Sequence, residues 1–125
     1  YCKIGTTPDG GMTYFLPRAV GQKRAMELML TGQRFSAEEA ERWGMINQIV
    51  AIDSLEEEVE KLANTLCNGP TDVLARTKRM LNETYDLSLK QRLDEEAENF
   101  YSSMLKEDFA EGVTSFCEKR PAKFK

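Results

Sequence analysis

The chain has 125 residues, the size of one modest domain, and 41% of them are hydrophobic. Its 17 cationic and 21 anionic side chains give a formal net charge of −4. Such a charge does not favour a nucleic-acid-binding protein, which usually carries a basic patch. No histidine is present, so these residues contain no Ser-His-Asp triad, no Cys-His pair and no HExxH metal site. Acid–base chemistry here would depend on carboxylate, Lys, Tyr or Cys side chains.

The cysteines and the hydropathy pattern indicate the cellular compartment in which the protein is expected. Cys2, Cys67 and Cys117 are widely spaced and form no CxxC motif. The spacing favours free thiols packed in or near the interior over a disulfide framework or a zinc site. No apolar run approaches the roughly 18–20 residues of a membrane helix. We therefore expect a cytoplasmic protein with no metal site, no membrane partner and no nucleic-acid partner.

The first third of the chain predicts an irregular entrance followed by short helices. Residues 1–4 are expected to end an extended segment, and a turn rich in Gly, Thr and Pro follows. A short helix is expected at 12–16, broken or restarted at Pro17. A longer helix is expected at 22–30, with Gly32 in the position of a C-terminal cap.

Two S-x-x-E motifs predict further helix starts. Ser36-Ala-Glu-Glu39 is a capping box, which predicts a short helix to about Trp43. The β-branched segment 45–52 is expected to be a short strand or an extended connection. The second box begins at Ser54, and the helix after it carries a single apolar stripe. The stripe contains Leu55, Val59, Leu62, Ala63 and Leu66.

Three more helices are predicted, over 71–85, 87–105 and 108–118, followed by a basic tail at 119–125. Each helix carries a narrow apolar stripe, and the connections between them are short. The chain is therefore predicted to be mainly α and to pack against a larger body. Because it begins at Tyr1 rather than Met, we expect it to be a piece of something longer.

The glycine-rich stretch Pro8-Asp-Gly-Gly11 before the first helix offers two interpretations of its acid. Asp9 could cap the helix that begins near Met12. Alternatively it could do chemistry, since a helix N-terminus favours the ionised form of an acid. The spacing leaves both alternatives open.

Four motifs, taken together, carry a family resemblance. They are KIGTTPDGG, FLPRAVG, AMELMLTGQRFSAEEAERWGMINQIV and, at the far end, EGVTSFCEKRPAKF. In this order and at these spacings, the chain resembles the crotonase (enoyl-CoA hydratase/isomerase) superfamily over essentially its whole length. The stretches PDGG, FLPR and RWGMI look most like the isomerases of phenylacetate breakdown.

The resemblance implies a fold and a division of the chain. The family has an α/β core, a spiral of ββα turns, followed by a helical C-terminal region that takes part in trimer formation. This chain would then be the C-terminal helical portion of that fold. Residues 1–53 would end the spiral core and include the helix-entrance loop, and residues 54–125 would form the helical oligomerisation region.

The resemblance also implies a role for Asp9. In some isomerases of the family an Asp at this place is the base that takes a proton from the acyl chain. The family's hydratases carry glycine or alanine here, and their two catalytic glutamates lie upstream of the position matching Tyr1. Upstream N–H groups would supply the oxyanion hole that stabilises the enolate.

Phe100 and Lys119 match family positions that approach the adenine and the phosphates of coenzyme A. An aromatic ring suits a purine, and a cation suits a phosphate. The alternatives are core packing for Phe100, which lies on an apolar stripe, and a solvated tail for Lys119.

The expected function is that of an acyl-CoA isomerase acting through an enolate, with enoyl-CoA hydratase as the alternative. A non-catalytic crotonase-like assembly module is the alternative of another class. Coenzyme A would enter as part of the substrate, with no covalently bound cofactor. Self-association as a trimer or a dimer of trimers is implied, and the isolated chain is expected to show little or no turnover.

Overall fold

The structure is a computed structural model that describes residues 1–125. It contains seven α-helices and no β-strand, so the prediction of a mainly α chain is confirmed. The helices are α1 (Met12–Val20), α2 (Gln22–Thr31), α3 (Ala37–Arg42), α4 (Leu55–Cys67), α5 (Thr71–Asn82), α6 (Leu89–Met104) and α7 (Glu107–Glu118).

The chain divides into two units, Tyr1–Ser54 and Leu55–Lys125. In the first unit α1 packs against α2, and the buried apolar residues are Ala25, Leu28 and Ala40. In the second unit α4 contacts α5 and α6 contacts α7. The roles given above to the two parts of the chain, as core end and oligomerisation region, stay predictions.

The helix signals at 32 and 36 are confirmed. Ser36 Oγ accepts the backbone N–H of Glu39 at 3.2 Å, and the Glu39 carboxylate accepts the N–H of Ser36 at 2.9 Å. This reciprocal pair satisfies two N–H groups that would otherwise lack partners at the start of α3. Gly32 ends α2 in the left-handed conformation, with φ 58°, and donates to the carbonyl of Leu28 at 3.0 Å.

The expectation of an extended segment at residues 1–4 is wrong. Cys2–Ile4 is a 3-10 turn, in which the N–H of Ile4 donates to the carbonyl of Tyr1 at 3.0 Å. The N–H of Thr6 donates to the same carbonyl at 3.3 Å. Gly5, at φ 76°, makes this reversal possible because glycine adopts positive φ without steric cost.

The expected break at Pro17 is also wrong, because α1 runs without interruption from Met12 to Val20. Proline has no N–H to donate to the carbonyl four residues earlier. The Arg18 guanidinium donates to the neighbouring carbonyl of Tyr14 at 2.8 Å, so a side chain strengthens the turn in which the proline lies.

Residues 45–51 form an irregular connection with bends at 45–47, so neither a strand nor an extended run over 45–52 is observed. A strand needs a neighbouring strand for its backbone hydrogen bonds, and the chain contains none. The N–H of Ile49 instead donates to the side chain of Glu41 at 3.1 Å. A 3-10 turn, Ile52–Ser54, follows, and α4 begins at Leu55. The helix start predicted by the second S-x-x-E motif is therefore confirmed, although Ser54 lies in the 3-10 turn.

The two central helices of the second unit are shorter than predicted. α5 ends at Asn82 and α6 begins at Leu89. Ser88 starts α6 with a capping box: its Oγ accepts the N–H of Gln91 at 3.3 Å, and Gln91 Oε1 accepts the N–H of Ser88 at 3.0 Å. This S-x-x-Q motif is a helix-start signal that the analysis of the sequence missed.

Two further properties of the described residues bear on the sequence expectations. All three cysteines are free and exposed, so the expectation of packed thiols is wrong. None of the helices combines the length and the apolar character that crossing a lipid bilayer requires.

Candidate functional site

The entrance loop places two left-handed glycines directly before α1. Gly10 has φ 60° and Gly11, the N-cap residue, has φ 80°. A Cβ atom at Gly11 would lie 2.8 Å from Cε2 of Phe15, which is closer than real Cβ contacts allow. The positive φ requires glycine at this position, whereas the exposed Phe15 ring can move to make room for a Cβ atom.

Asp9 precedes this glycine pair and is exposed. Its backbone carbonyl accepts the N–H of Met12 at 3.1 Å, and its side chain accepts the Tyr1 hydroxyl at 2.5 Å. No side chain caps α1, so the capping alternative for Asp9 is wrong. The carboxylate is therefore held at the loop surface by one hydroxyl donor, with its remaining lone pairs open to solvent.

The contact between Tyr1 and Asp9 also changes the tyrosine. The pKa of the Tyr1 hydroxyl is raised above 10.0, first because it donates a hydrogen bond to Asp9, then because the carboxylate charge disfavours a phenolate, and last through burial. At neutral pH the hydroxyl therefore stays a donor to this carboxylate.

Phe100 lies on α6 and lines a groove of about 960 Å³ in the second unit. The groove is bounded by residues of α5, α6, α7 and the tail, with Phe109, Phe116 and Phe124 among its aromatic walls. Phe100 is 64% exposed, so the core-packing alternative is not realised within the described residues. An open aromatic face of this kind can stack on a planar ligand.

Lys119 follows α7 and is the one non-glycine residue of the chain with positive φ, 54°. Its N–H donates to the carbonyl of Phe116 at 3.3 Å, and the N–H of Arg120 donates to that of Ser115 at 3.1 Å. These bonds cap the C-terminus of α7, with Lys119 in the left-handed position that glycine usually occupies. The Lys119 ammonium makes no ion pair, in contrast to Arg120 and Lys125, so it is free to meet an anion.

Glu111 holds the tail after Lys119. Its Oε1 accepts a hydrogen bond from Nη1 of Arg120 at 2.6 Å, and its Oε2 accepts one from Nη2 at 2.9 Å. Oε1 also accepts the backbone N–H of Lys123 at 2.8 Å. These hydrogen bonds and the positive charge of Arg120 lower the pKa of Glu111 from 4.5 to about 2. Glu111 is therefore ionised throughout the neutral range.

The structure distributes the sequence-predicted residues over both units. Asp9 belongs to the first, and Phe100 and Lys119 belong to the second. Phe100 lines the groove, whereas Lys119 does not. Sequence reasoning missed the partners Tyr1, Glu111 and Arg120. The spacing of Glu111 and Arg120 across a helix end matches no regular side-chain pairing, so no pattern signals the contact.

Comparison of the chain with known proteins identifies its family. The sequence model of the family described as enoyl-CoA hydratase/isomerase matches residues 1–125. A mitochondrial enoyl-CoA hydratase of Pongo abelii is 37% identical over 122 residues, covering 98% of this chain and 42% of that protein. A 1,2-epoxyphenylacetyl-CoA isomerase of Escherichia coli K12 is 38% identical over 124 residues, covering 99% of this chain and 47% of that protein.

The fold agrees with solved structures. An enoyl-CoA hydratase subunit I of Geobacillus kaustophilus superposes with a TM-score of 0.91 at 36% identity, over 99% of this chain and 48% of that one. The arrangement of helices is therefore that of a crotonase-fold protein. The chain belongs to the enoyl-CoA hydratase/isomerase family and corresponds to the helical C-terminal portion of its fold.

The relatives are longer than this chain and are named for two activities. The chain spans about half the length of the curated relatives it matches. The expected likeness to a phenylacetate-pathway isomerase is confirmed, but a hydratase is nearly as similar. Overall identity therefore does not separate isomerase from hydratase, and the residues of the site must carry that distinction.

Proposed function

We propose that this chain is the C-terminal part of an acyl-CoA isomerase in which Asp9 is the base. The observation that carries the proposal is the state of the Asp9 side chain. It is exposed in front of α1, does not cap the helix, and keeps lone pairs available beyond its contact with Tyr1. A carboxylate so placed can take a proton from an acyl chain.

The chemistry would be a proton shuttle through an enolate. Asp9 removes a proton from a carbon activated by the thioester, and the electron pair moves into the carbonyl oxygen. Backbone N–H groups outside this chain would stabilise that oxygen as its charge builds. The protonated carboxyl then returns the proton to another carbon of the same acyl group, so the double bond shifts and no water is consumed.

The presence of an acid at position 9 favours isomerisation over the hydratase alternative. In the family's hydratases the matching position is small and apolar, and the proton is moved by two glutamates elsewhere. Relatives named for both activities are similar to this chain, so overall identity does not choose between them, and the resemblance supports Asp9 as the feature that favours isomerisation.

For the coenzyme end of the substrate, we propose Phe100 and Lys119 as contacts. The open ring of Phe100 supports stacking on the adenine. The Lys119 ammonium takes no part in the ion pairs of the tail, which supports a charge-assisted bond to a phosphate. The left-handed backbone of Lys119 adds support, because a lysine held where glycine is favoured indicates that its side chain is needed.

Self-association is part of the proposal, as is residence in the cytoplasm. The apolar stripe of α4 is exposed, at between 45% and 61% for Leu55, Val59, Leu62 and Leu66. An uncovered stripe of this kind is typical of an interface. The same exposure favours the second candidate, a non-catalytic assembly module. A sedimentation coefficient of the full-length protein that does not change with concentration and corresponds to a monomer would contradict self-association.

The test of the catalytic proposal compares the full-length protein containing this chain with its Asp9→Asn variant and with Asp53→Asn. Each is given a 3-enoyl-CoA and, separately, a 2-enoyl-CoA, and isomerisation and hydration rates are recorded. Loss of a general base should lower isomerisation by about 10²–10⁴-fold in Asp9→Asn while coenzyme A binding is kept. Asp53→Asn removes an exposed acid of the same unit and should isomerise at the rate of the unmodified protein.

Three outcomes would contradict parts of the proposal. Unchanged isomerisation in Asp9→Asn would remove Asp9 as the base. Hydration without isomerisation in the unmodified protein would identify a hydratase. A full-length protein that binds acyl-CoA but turns over neither substrate would support the non-catalytic module.

A further inference from the structure

The tail beyond α7 folds back along the helix that precedes it. Glu111 receives the guanidinium of Arg120 through two bonds and the N–H of Lys123 through a third, at 2.6, 2.9 and 2.8 Å. Farther along, Asp108 Oδ1 accepts the N–H of Lys125 at 3.0 Å. One face of α7 therefore carries acids that fasten the tail at successive points.

Lys119 lies inside the loop that the Glu111–Arg120 pair closes. Its left-handed backbone, φ 54° and ψ 41°, produces the reversal that brings Arg120 back to the helix. This conformation is unfavourable for a lysine, so the turn needs contacts on both sides to persist. The helix-end bonds hold one side, and the two-bonded guanidinium holds the other.

We propose that Glu111 is a positioning residue for Lys119, with Arg120 as its mediator. By fixing the turn, the pair holds the Lys119 ammonium in place before coenzyme A arrives. The substrate phosphate then meets an ordered cation instead of ordering a flexible tail. The inference rests on the proposed contact between Lys119 and a coenzyme A phosphate, and it adds two residues that do not touch the substrate themselves.

The loss of positioning and the loss of a negative charge predict opposite changes in phosphate binding. Removing the Glu111 carboxylate leaves the surroundings of Lys119 more positive, which by itself strengthens phosphate binding. Weaker binding after this change therefore identifies lost positioning. A merely structural role is separated by a second substrate, a pantetheine thioester that lacks the adenosine and its phosphates.

The experiment uses the full-length enzyme and its Glu111→Gln, Lys119→Gly and Glu118→Gln variants. Glu118→Gln is the matched control, because Glu118 also pairs with Arg120, at 2.6 Å, whereas Glu111 in addition accepts the N–H of Lys123. KM and kcat are measured for an enoyl-CoA and for the same acyl group on pantetheine. Lys119→Gly removes the ammonium and suits the left-handed turn.

Glu111→Gln and Lys119→Gly should each raise KM for the CoA substrate about tenfold, with kcat unchanged and with no change for the pantetheine substrate. Glu118→Gln should change KM much less. If Glu111→Gln does not fold, Arg120→Lys decides, because lysine keeps the charge but cannot form the two-bonded fork. It should then raise KM for the CoA substrate in the same selective way.

The outcomes separate the two proposals. If Lys119→Gly raises KM selectively while Glu111→Gln behaves like Glu118→Gln, the contact stands and the positioning role is refuted. Equal losses on both substrates in Glu111→Gln would show a structural role only, which also refutes it. If Lys119→Gly leaves KM unchanged, the proposed contact is wrong, and the positioning role fails with it.

Discussion

Replacing Lys119 by glycine should stabilise the protein, because the backbone at this position is left-handed. For an L-residue such a conformation costs about 1–2 kcal/mol, from the approach of Cβ to the carbonyl oxygen that follows. Glycine avoids that cost but loses about 0.5–1 kcal/mol more conformational entropy on folding. The ion pairs in this part of the chain belong to Arg120 and Lys125, so the change removes none of them. The net gain is therefore about 0.5–1 kcal/mol.

The assay is thermal unfolding of the full-length protein that contains this chain and of its Lys119→Gly and Lys119→Ala variants. In proteins at the upper end of the roughly 150–250-residue range, a gain of this size raises Tm by about 1–2 °C, and a rise of that order is expected for Lys119→Gly. Alanine loses the same ammonium but keeps a Cβ atom in the left-handed turn, so Lys119→Ala should show no increase. Equal Tm values for the two variants would refute the reasoning. A more stable variant that binds acyl-CoA less well would indicate that the lysine is kept for function.

Two further predictions concern glycine and pH. Gly11→Ala should lower the free energy of unfolding by about 1–2 kcal/mol in urea, because its φ is 80° and the new Cβ meets the Phe15 ring. Gly112→Ala, inside α7 and 3.7 Å from Phe124, should raise it by about 0.5–1 kcal/mol; equal losses at both sites would contradict the argument. The lowered pKa of Glu111, about 2 against 4.5, contributes stability that is fully present above pH 4.5 and is lost as the pH falls through 2. The difference in stability between the unmodified protein and Glu111→Gln should therefore shrink over that window, and a difference that grows on acidification would overturn the assignment.

The helix boundaries of this fold can be predicted from the sequence where a local signal exists. The capping box at Ser36 and the glycine at 32 act within one turn of chain, so the residues alone specify them. The continuity of α1 through Pro17 was not accessible. Proline lacks the N–H that a helix interior normally uses, so the residue pattern predicts a break at Pro17, whereas α1 continues through it.

The candidate site was accessible only in part. Asp9 was singled out by its glycine neighbours and by the family resemblance, but its contact with Tyr1 needed the 3-10 turn that the sequence did not predict. Glu111 and Arg120 meet only because Lys119 takes a backbone conformation that a lysine rarely adopts. Contacts made across such a reversal follow from three-dimensional placement, which periodicity does not encode.

The fastening of the tail by exposed charges gives the end of the chain a response to salt that differs from that of the helices. Ion pairs such as the one between Lys125 and Glu107 weaken as the screening length falls to about 3 Å at 1 M salt. Sulfate strengthens the burial of apolar surface through its exclusion from the protein. In concentrated sulfate the charged contacts of the tail would therefore weaken while the apolar contact of Phe124 with the groove strengthens, so the choice of salt separates the two kinds of contact that hold the tail.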